Sequence, residues 1–403
     1  MPILSNYHHF AGRHWETGTL HNYYAYRGVS APHTGQPYSE AFFLGISGGI
    51  MIGYFTFAYE GHDPHVALLT RNTFDPLNTM LARLGVVQEV MQTSKPEKGL
   101  RNLVETLTDG LPAIVWADLW SLPYNVLPAE EGMWLMYPIL VYGYDAAADQ
   151  VWIADRANVP LTVTTGELAA ARGRVKQDKY RILSLDLPDP EKLSAAVTAG
   201  IWDCINLYTE KPPKGSVNNF GLQAFQHWAD LLTKPKQRMS WEKEFPAGVK
   251  LYAGLTSTFS RLGTVGINGE ADRPLYATFL EEAAIILNKP ALAEVAQQFR
   301  QSGAAWRELG ATLLPDTVAP LHETRVLLER KEQLFIEAGA ASRQERKQIF
   351  ERLQAIRTAM ITDFPLTAAE VVALREQISA QVLQIRALEQ AAVTQLRALI
   401  SKP

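Results

Sequence analysis

At Leu187-Pro188-Asp189-Pro190 the texture of the chain changes, and no other feature constrains the fold as strongly. Each proline disfavours helix in the residue before it, so the segment reads as a boundary. Ahead of it, short β-rich runs alternate with amphipathic helices; beyond it, apolar residues fall mainly at helical spacing. The expected architecture is α+β: helices plus an antiparallel sheet, then an all-α region ending in a long helical hairpin. The expected divisions are residues 1–187, 188–318 and 319–403.

Asp75-Pro76 opens a helix through Leu77, Met80, Leu81 and Leu84, with Gly85 as its stop. A second helix covers Glu97 to Thr108 and ends at Asp109-Gly110. Residues 113–117, 138–142, 151–154 and 161–163 read as strands. Residues 145–149 form a hairpin loop that makes the middle pair antiparallel. Residues 41–59 carry no charge between Glu40 and Glu60, long enough to be weighed against the ~20 residues of a membrane span. Gly45, Gly48, Gly49 and Gly53, the polar Ser47 and Thr56, and acidic flanks favour a buried core segment with tight turns or close backbone approach. No membrane association is expected.

In the helical half, Asp272-Arg273-Pro274 starts a helix through Leu275, Phe279, Ala283 and Leu287. Ser342-Arg343-Gln344-Glu345 reads as a capping box for Ile349, Leu353, Ile356 and Met360, and Thr367-Ala368-Ala369-Glu370 caps the last helix after the break at Phe364-Pro365. That helix carries Val371, Leu374, Ile378, Ile385, Leu388, Ala392 and Leu399 near heptad spacing, interrupted by Gln381 and Gln395. Such a stripe needs a partner surface. The preceding helix in an antiparallel hairpin is one candidate; a second subunit, giving a homodimer through the C-terminal helices, is the other.

With 38 basic and 42 acidic residues the chain has no field for drawing in nucleic acid. Its one cysteine, Cys204, sits among apolar neighbours and reads as a small buried hydrophobe. One cysteine excludes an intrachain disulfide, and the start lacks a secretory signal, so a cytoplasmic location is expected. His8-His9 and His62-Asp63-Pro64-His65 match no zinc or di-iron spacing, so no metal is expected. The glycines at 45, 48, 49 and 53 meet neither the phosphate-loop nor the dinucleotide pattern, and no cofactor is expected.

His9-Phe10, Gly12-Arg13-His14, Glu16-Thr17-Gly18, the helix Leu20 to Tyr26, Ser39-Glu40-Ala41 and the run Gly45 to Tyr54 resemble the N-terminal domain of the butirosin biosynthesis protein H family. The likeness continues through residues 112–118, 122–125 and 141–145. Asn219-Phe220-Gly221-Leu222 and residues 276–283 resemble the helical, uncharacterised domain that commonly follows it. Residues 320–403 lie outside the resemblance.

That resemblance implies a papain-like fold and transfer of an acyl group from a carrier-protein thioester to an amine in specialised metabolism. Such chemistry uses a thiolate at a helix N-terminus, a histidine base and an orienting carboxylate. Here the nucleophile's place carries Trp15, the histidine's place falls on Tyr137, and only the third, Asp155, keeps its residue type. An indole forms no thioester, and a tyrosine with a pKa near ~10 is a poor base at neutral pH. At most, Glu16, Tyr137 and Asp155 would act non-covalently on an activated thioester donor and an amine, in a cleft shared with His14, Trp15, Thr17, Asp118 and Tyr144. The alternative is a catalytically inactive pseudoenzyme that binds a ligand or scaffolds an assembly. Each of these residues also has a plainer role: Glu16 answers the helix dipole, Thr17 caps or packs, and Asp155 pairs with Arg156 or a backbone amide. Trp116, Trp120, Tyr124 and Trp134 read as core and rim aromatics. The partner implied is a small-molecule or carrier-bound acyl substrate.

Overall fold

The computed structural model describes residues 2–127, 133–263 and 269–402. Its class is α+β, with antiparallel strands in the N-terminal part and helices after it. In chain order the first half contains α1 (Trp15–Tyr26), α2 (Glu40–Ile46), β1 (Ile50–Phe57), β2 (His65–Arg71), α3 (Pro76–Arg83), β3 (Gln88–Met91), α4 (Pro96–Thr108), β4 (Ala113–Asp118), β5 (Met136–Asp145), β6 (Gln150–Ala154), β7 (Leu161–Val163), α5 (Thr165–Gly173) and β8 (Ile182–Leu185). The remainder is helical: α6 (Leu193–Thr209), α7 (Gly221–Thr233), α8 (Trp241–Glu244), α9 (Val249–Ser260), α10 (Arg273–Ile286), α11 (Ala291–Leu313), α12 (Ala319–Ala338), α13 (Arg343–Ala359) and α14 (Ala368–Leu399). No helix among the described residues is long and apolar enough to cross a membrane.

The chain forms two compact units, each assembled from separated segments. Met1–Phe43, Met80–Lys192 and Lys331–Gln348 make the first; Leu44–Thr79, Leu193–Arg330 and Ile349–Pro403 make the second. These units cut across the contiguous division expected from the proline-rich boundary. Residues 44–79 leave the N-terminal domain because the β1–β2 hairpin packs its apolar side on α6, α7 and α9.

In the first unit a six-stranded antiparallel sheet runs in the order β3-β8-β4-β5-β6-β7. Ile114, Val115, Ile139, Leu140, Val141, Ile153, Ile182 and Leu183 are fully buried along it. The β5–β6 turn falls where Asp145 and Asp149 predict it: Asp145 accepts the amides of Ala147 and Ala148, and Asp149 adopts φ +51°. Helices α1, α4 and α5 pack on the sheet. Most of α1 is buried, and its Gly18 lets the backbone at Gly12 come so close that a Cβ on Gly12 would lie 2.3 Å from the Gly18 carbonyl oxygen.

The second unit is built around a buried charge. Arg273, in the first turn of α10, donates through Nε to Glu389 Oε1 (2.7 Å) and through Nη2 to Glu389 Oε2 (2.9 Å) and the Tyr208 hydroxyl (2.9 Å). Nη1 donates to the Thr70 carbonyl and Nη2 also lies within reach of the Met51 carbonyl, so β1, β2, α6, α10 and α14 share one guanidinium. Ser302 and Trp306 of α11 also donate to Glu389. Helix α14, opened by the expected Thr367–Glu370 capping box, lies along α7 and α11 rather than mainly along α13. Its buried stripe is Val371, Leu374, Ile378, Val382, Ile385, Glu389, Ala392, Val393 and Leu396, whereas Leu388 and Leu399 are only partly covered. A 3.6-residue repeat drifts off a strict heptad within a few turns, which moves the covered face onto these residues.

The uncharged run at 41–59 divides at its glycines. Gly48 and Gly49, at φ +106° and +69°, turn the chain from α2 into β1, and Gly45 lies against the Phe279 ring and the Gly200 backbone.

Candidate functional site

The N-terminus of α1 is fixed by a carboxylate from α2. Glu40, buried, accepts the backbone N–H of Arg13 at Oε2 (2.7 Å) and that of His14 at Oε1 (2.7 Å), and the Thr17 hydroxyl donates to Oε1 (2.9 Å). Gly12 N–H donates to Asn22 Oδ1 at 3.1 Å. Four-residue helical bonding begins only at Gly18, so these donors are orphans that Glu40 satisfies while its charge meets the positive end of the helix. His14 is the N-cap, in extended conformation and buried, and Trp15 is the first helical residue.

Trp15 lies on Tyr137 of β5 as a parallel stack, ring centroids 3.9 Å apart and planes 9° from parallel. Backbone register places Tyr137 opposite Ala117 on β4, and the Thr19 hydroxyl donates to the Pro138 carbonyl, tying α1 to β5 beside the stack. Both rings are partly exposed. The Arg156 guanidinium lies 4.7 Å from the centroid of the Trp15 ring, and a cation over an indole face is attracted by the ring's quadrupole.

Asp155 follows β6 directly and is buried. Arg156 donates to it from Nε (2.8 Å) and Nη2 (2.9 Å), and the Tyr124 hydroxyl donates to Oδ2 (3.0 Å). Nη2 of Arg156 also reaches Asn125 Oδ1 at 2.7 Å, and Arg13 donates to the Arg156 carbonyl and to Asn158. Arg156 adopts φ +55°, a conformation that L side chains other than Asn and Asp seldom take, and this dense bonding holds it there. Burial works to lower the Arg156 pKa, but the Asp155 charge, its hydrogen bonds and Tyr124 more than offset it, so the guanidinium is held firmly protonated. Burial pushes the Tyr124 phenol well above its ordinary value, and the Asp155 charge adds to the rise. Beyond Arg156 stands Phe335 of α12, 5.0 Å from that guanidinium and 5.1 Å from that of Arg346. Glu332 is partly buried in the same region, where desolvation raises its carboxyl pKa against the pull of Arg156 and Arg346.

Of the residues expected in the cleft, Trp15 and Tyr137 meet directly, while Asp155 connects to Trp15 through Arg156. Glu16 stands partly exposed in the first turn of α1, and Thr17 is engaged with Glu40. Asp118 is fully buried and pins a loop: its Oδ2 accepts the amide and hydroxyl of Ser121, and its Oδ1 accepts the Leu135 amide. Tyr144 lies near the far end of β5 from Tyr137, beside Arg172. Tyr124 is a core aromatic, as expected, and its hydroxyl is also a partner of Asp155. Trp116 is stacked under Arg181, and Trp134 is 51% exposed.

Arg156 pairs with Asp155 as expected, whereas its contact with Trp15 and the role of Glu40 were not marked by local pattern. The only prior signal for Glu40 was its position inside the Ser39-Glu40-Ala41 motif. Cys204 is buried on α6 against the Ile50 carbonyl (3.4 Å), and burial pushes its thiol up to about 12, which leaves no thiolate at neutral pH. Among the described residues, no group of three or more His, Cys, Asp or Glu is placed to hold a metal ion.

A helix N-terminus facing one strand of an antiparallel sheet, with an acid after the next strand, defines an α+β protein with Trp15, Tyr137 and Asp155 on neighbouring elements. Residues 14–156 match the family model described as butirosin biosynthesis protein H, N-terminal, and residues 167–329 match one described as a domain of unknown function. The chain is thus similar to the butirosin biosynthesis protein H family over its N-terminal segment, with the domain of unknown function directly after it. No curated protein is a significant match to it.

Proposed function

We propose that this chain is a catalytically silent member of its family, retained as a ligand-binding or scaffolding protein of specialised metabolism. The observation that carries the reading is the Tyr137–Trp15–Arg156–Asp155 cluster. Trp15 and Tyr137 are stacked at 3.9 Å, and both carboxylate oxygens of Asp155 are engaged by Arg156.

The acyl transfer implied by the family resemblance needs a nucleophile, a base and an acid that orients the base. In place of the thiolate stands an apolar ring whose stack would have to open before a substrate carbonyl reached the helix N-terminus. The helix-end amides of Arg13 and His14 already have Glu40 as acceptor, so they are not free to stabilise a developing oxyanion. Asp155 orients a permanent cation rather than a proton acceptor. The chemistry left to the site is recognition: a partly exposed aromatic pair beside a guanidinium suits a flat or acyl-bearing ligand.

Purified full-length protein incubated with simple acyl thioesters and a panel of amines tests this. No acyl adduct by intact mass and no amide above the uncatalysed rate are expected. Amide formation lost in Glu16→Gln or Tyr137→Phe would instead establish non-covalent catalysis by those residues and overturn the proposal.

A further inference from the structure

Between the loop after β4 and the first turns of α13, inside the first unit, lies a cleft of about 630 Å³. Small-molecule sites typically measure roughly 300–1,000 Å³. Its two walls differ in chemistry. Trp120, Leu122, Pro123 and Leu127 make an apolar wall, and Arg343 and Lys347, one helical turn apart on α13, face it. Both cations are exposed, and neither forms an ion pair or side-chain hydrogen bond among the described residues.

Arg346 holds the walls in register. Buried between those two cations in sequence, its Nη2 donates to the Tyr124 carbonyl (2.6 Å) and its Nε to Ser342 Oγ (2.9 Å), fastening α13 to the loop that carries Pro123 and Leu127. The Tyr124 hydroxyl bonds Asp155, so the cleft adjoins the cluster around Trp15 without including it. Residues 341–347, which carry the cationic wall, lie beyond both family-matched segments.

We infer that this cleft binds an amphipathic anion: an apolar chain or ring against Trp120 and Leu122, with a carboxylate or phosphate head between Arg343 and Lys347. Cations facing an apolar wall recognise that combination and disfavour a cationic ligand of the same shape. The inference stands apart from the catalytic silence of the Trp15 site, because no residue of the cleft takes part in that argument.

Titration of the full chain with octanoate, octyl phosphate, acetate and octyltrimethylammonium, followed by calorimetry and tryptophan emission, tests it. Octanoate and octyl phosphate should bind saturably, with the tighter of the two naming the head group. Acetate and octyltrimethylammonium should bind at least about tenfold more weakly. Arg343→Gln with Lys347→Gln should weaken anion binding about tenfold while leaving the unfolding transition in place, since both side chains are exposed. Leu127→Ser, at a residue 39% exposed, should weaken both octyl anions, and Trp15→Ala should leave their affinity unchanged. Absence of saturable binding, equal binding of the octyl cation, or full affinity in the double variant overturns the inference. None of those results bears on whether Trp15 supports acyl transfer.

Discussion

Arg156 binds Asp155 with two N–H groups, at 2.8 and 2.9 Å, while the same guanidinium lies over the Trp15 ring at 4.7 Å. One side chain thus neutralises the buried acid of the site and covers the residue at its helix end. Truncating it leaves Asp155 buried with its charge uncompensated. Loss of one partner of a buried pair costs about 3–5 kcal/mol, and that is the expected effect of Arg156→Ala on urea-unfolding stability. Arg156→Lys should recover only part, because an ammonium cannot span both oxygens. A loss below about 1 kcal/mol for Arg156→Ala would place the pair in the exposed class instead.

Trp15→Ala removes an aromatic stack worth about 0.5–1.5 kcal/mol beyond area burial and a cation–π contact worth about 0.5–2 kcal/mol. A stability loss of about 1–3 kcal/mol is expected, with Trp15→Phe intermediate. Trp15→Cys combined with Tyr137→His should still give no thioester adduct by intact mass, since Asp155 stays bound to Arg156 and Tyr124 and does not orient the new imidazole. Rapid adduct formation would show that the ion pair yields.

Glu40→Ala strands the amides of Arg13 and His14 and the Thr17 hydroxyl. Lost caps cost about 0.5–2 kcal/mol and charge-assisted bonds about 1.5–3 kcal/mol, so a loss near the top of the combined range is expected, with Glu40→Gln milder. Hydrogen exchange should quicken first at residues 13–17; unchanged protection there would remove Glu40 as the organiser of α1.

Burial pushes the Glu389 carboxyl up, but the Arg273 charge and the hydrogen bonds from Arg273, Tyr208 and Trp306 more than offset it and hold the group below its ordinary value of 4.5. A carboxyl depressed in the folded state stabilises the fold above its unfolded pKa, and that contribution is lost as pH falls through the folded value. The denaturation midpoint should therefore drop on acidification below about 4.5, and the difference between wild type and Glu389→Gln should shrink over the same range. A gap that stays constant from neutrality into acid would contradict it.

Gly200 sits where an added Cβ would lie 2.3 Å from the Gly45 carbonyl oxygen, and that neighbour is backbone. Gly200→Ala should cost about 1–3 kcal/mol by overpacking, despite alanine's better helix propensity, whereas Gly166→Ala, with open space around the Cβ, should be near neutral. Equal behaviour of the two variants would mean that α6 shifts freely.

Strands β4 to β7 and helices α3 and α4 follow directly from alternation, turn residues and proline or glycine stops, all of them local signals. Strands β3 and β8 escape such signals because they are four residues each and gain their place only by pairing with one another and with β4. Trp15, Tyr137 and Asp155 are legible as a set through family resemblance. Glu40 shows a motif but no role, since its partners are backbone amides that no side-chain pattern can mark.

Composition and periodicity, which each residue carries with its neighbours, settle the α+β class, the capped final helix and the absence of a thiol at the start of α1. Other outcomes needed residues far apart in the chain to meet. Glu389 lies 116 residues from Arg273, yet their pairing gives α14 its place within the second unit. The β1–β2 hairpin leaves the domain it is continuous with, and Glu40 of α2 reaches back to the amides that open α1. In each case a buried charge or an apolar face takes the partner that best satisfies it, and folding alone brings that partner within reach.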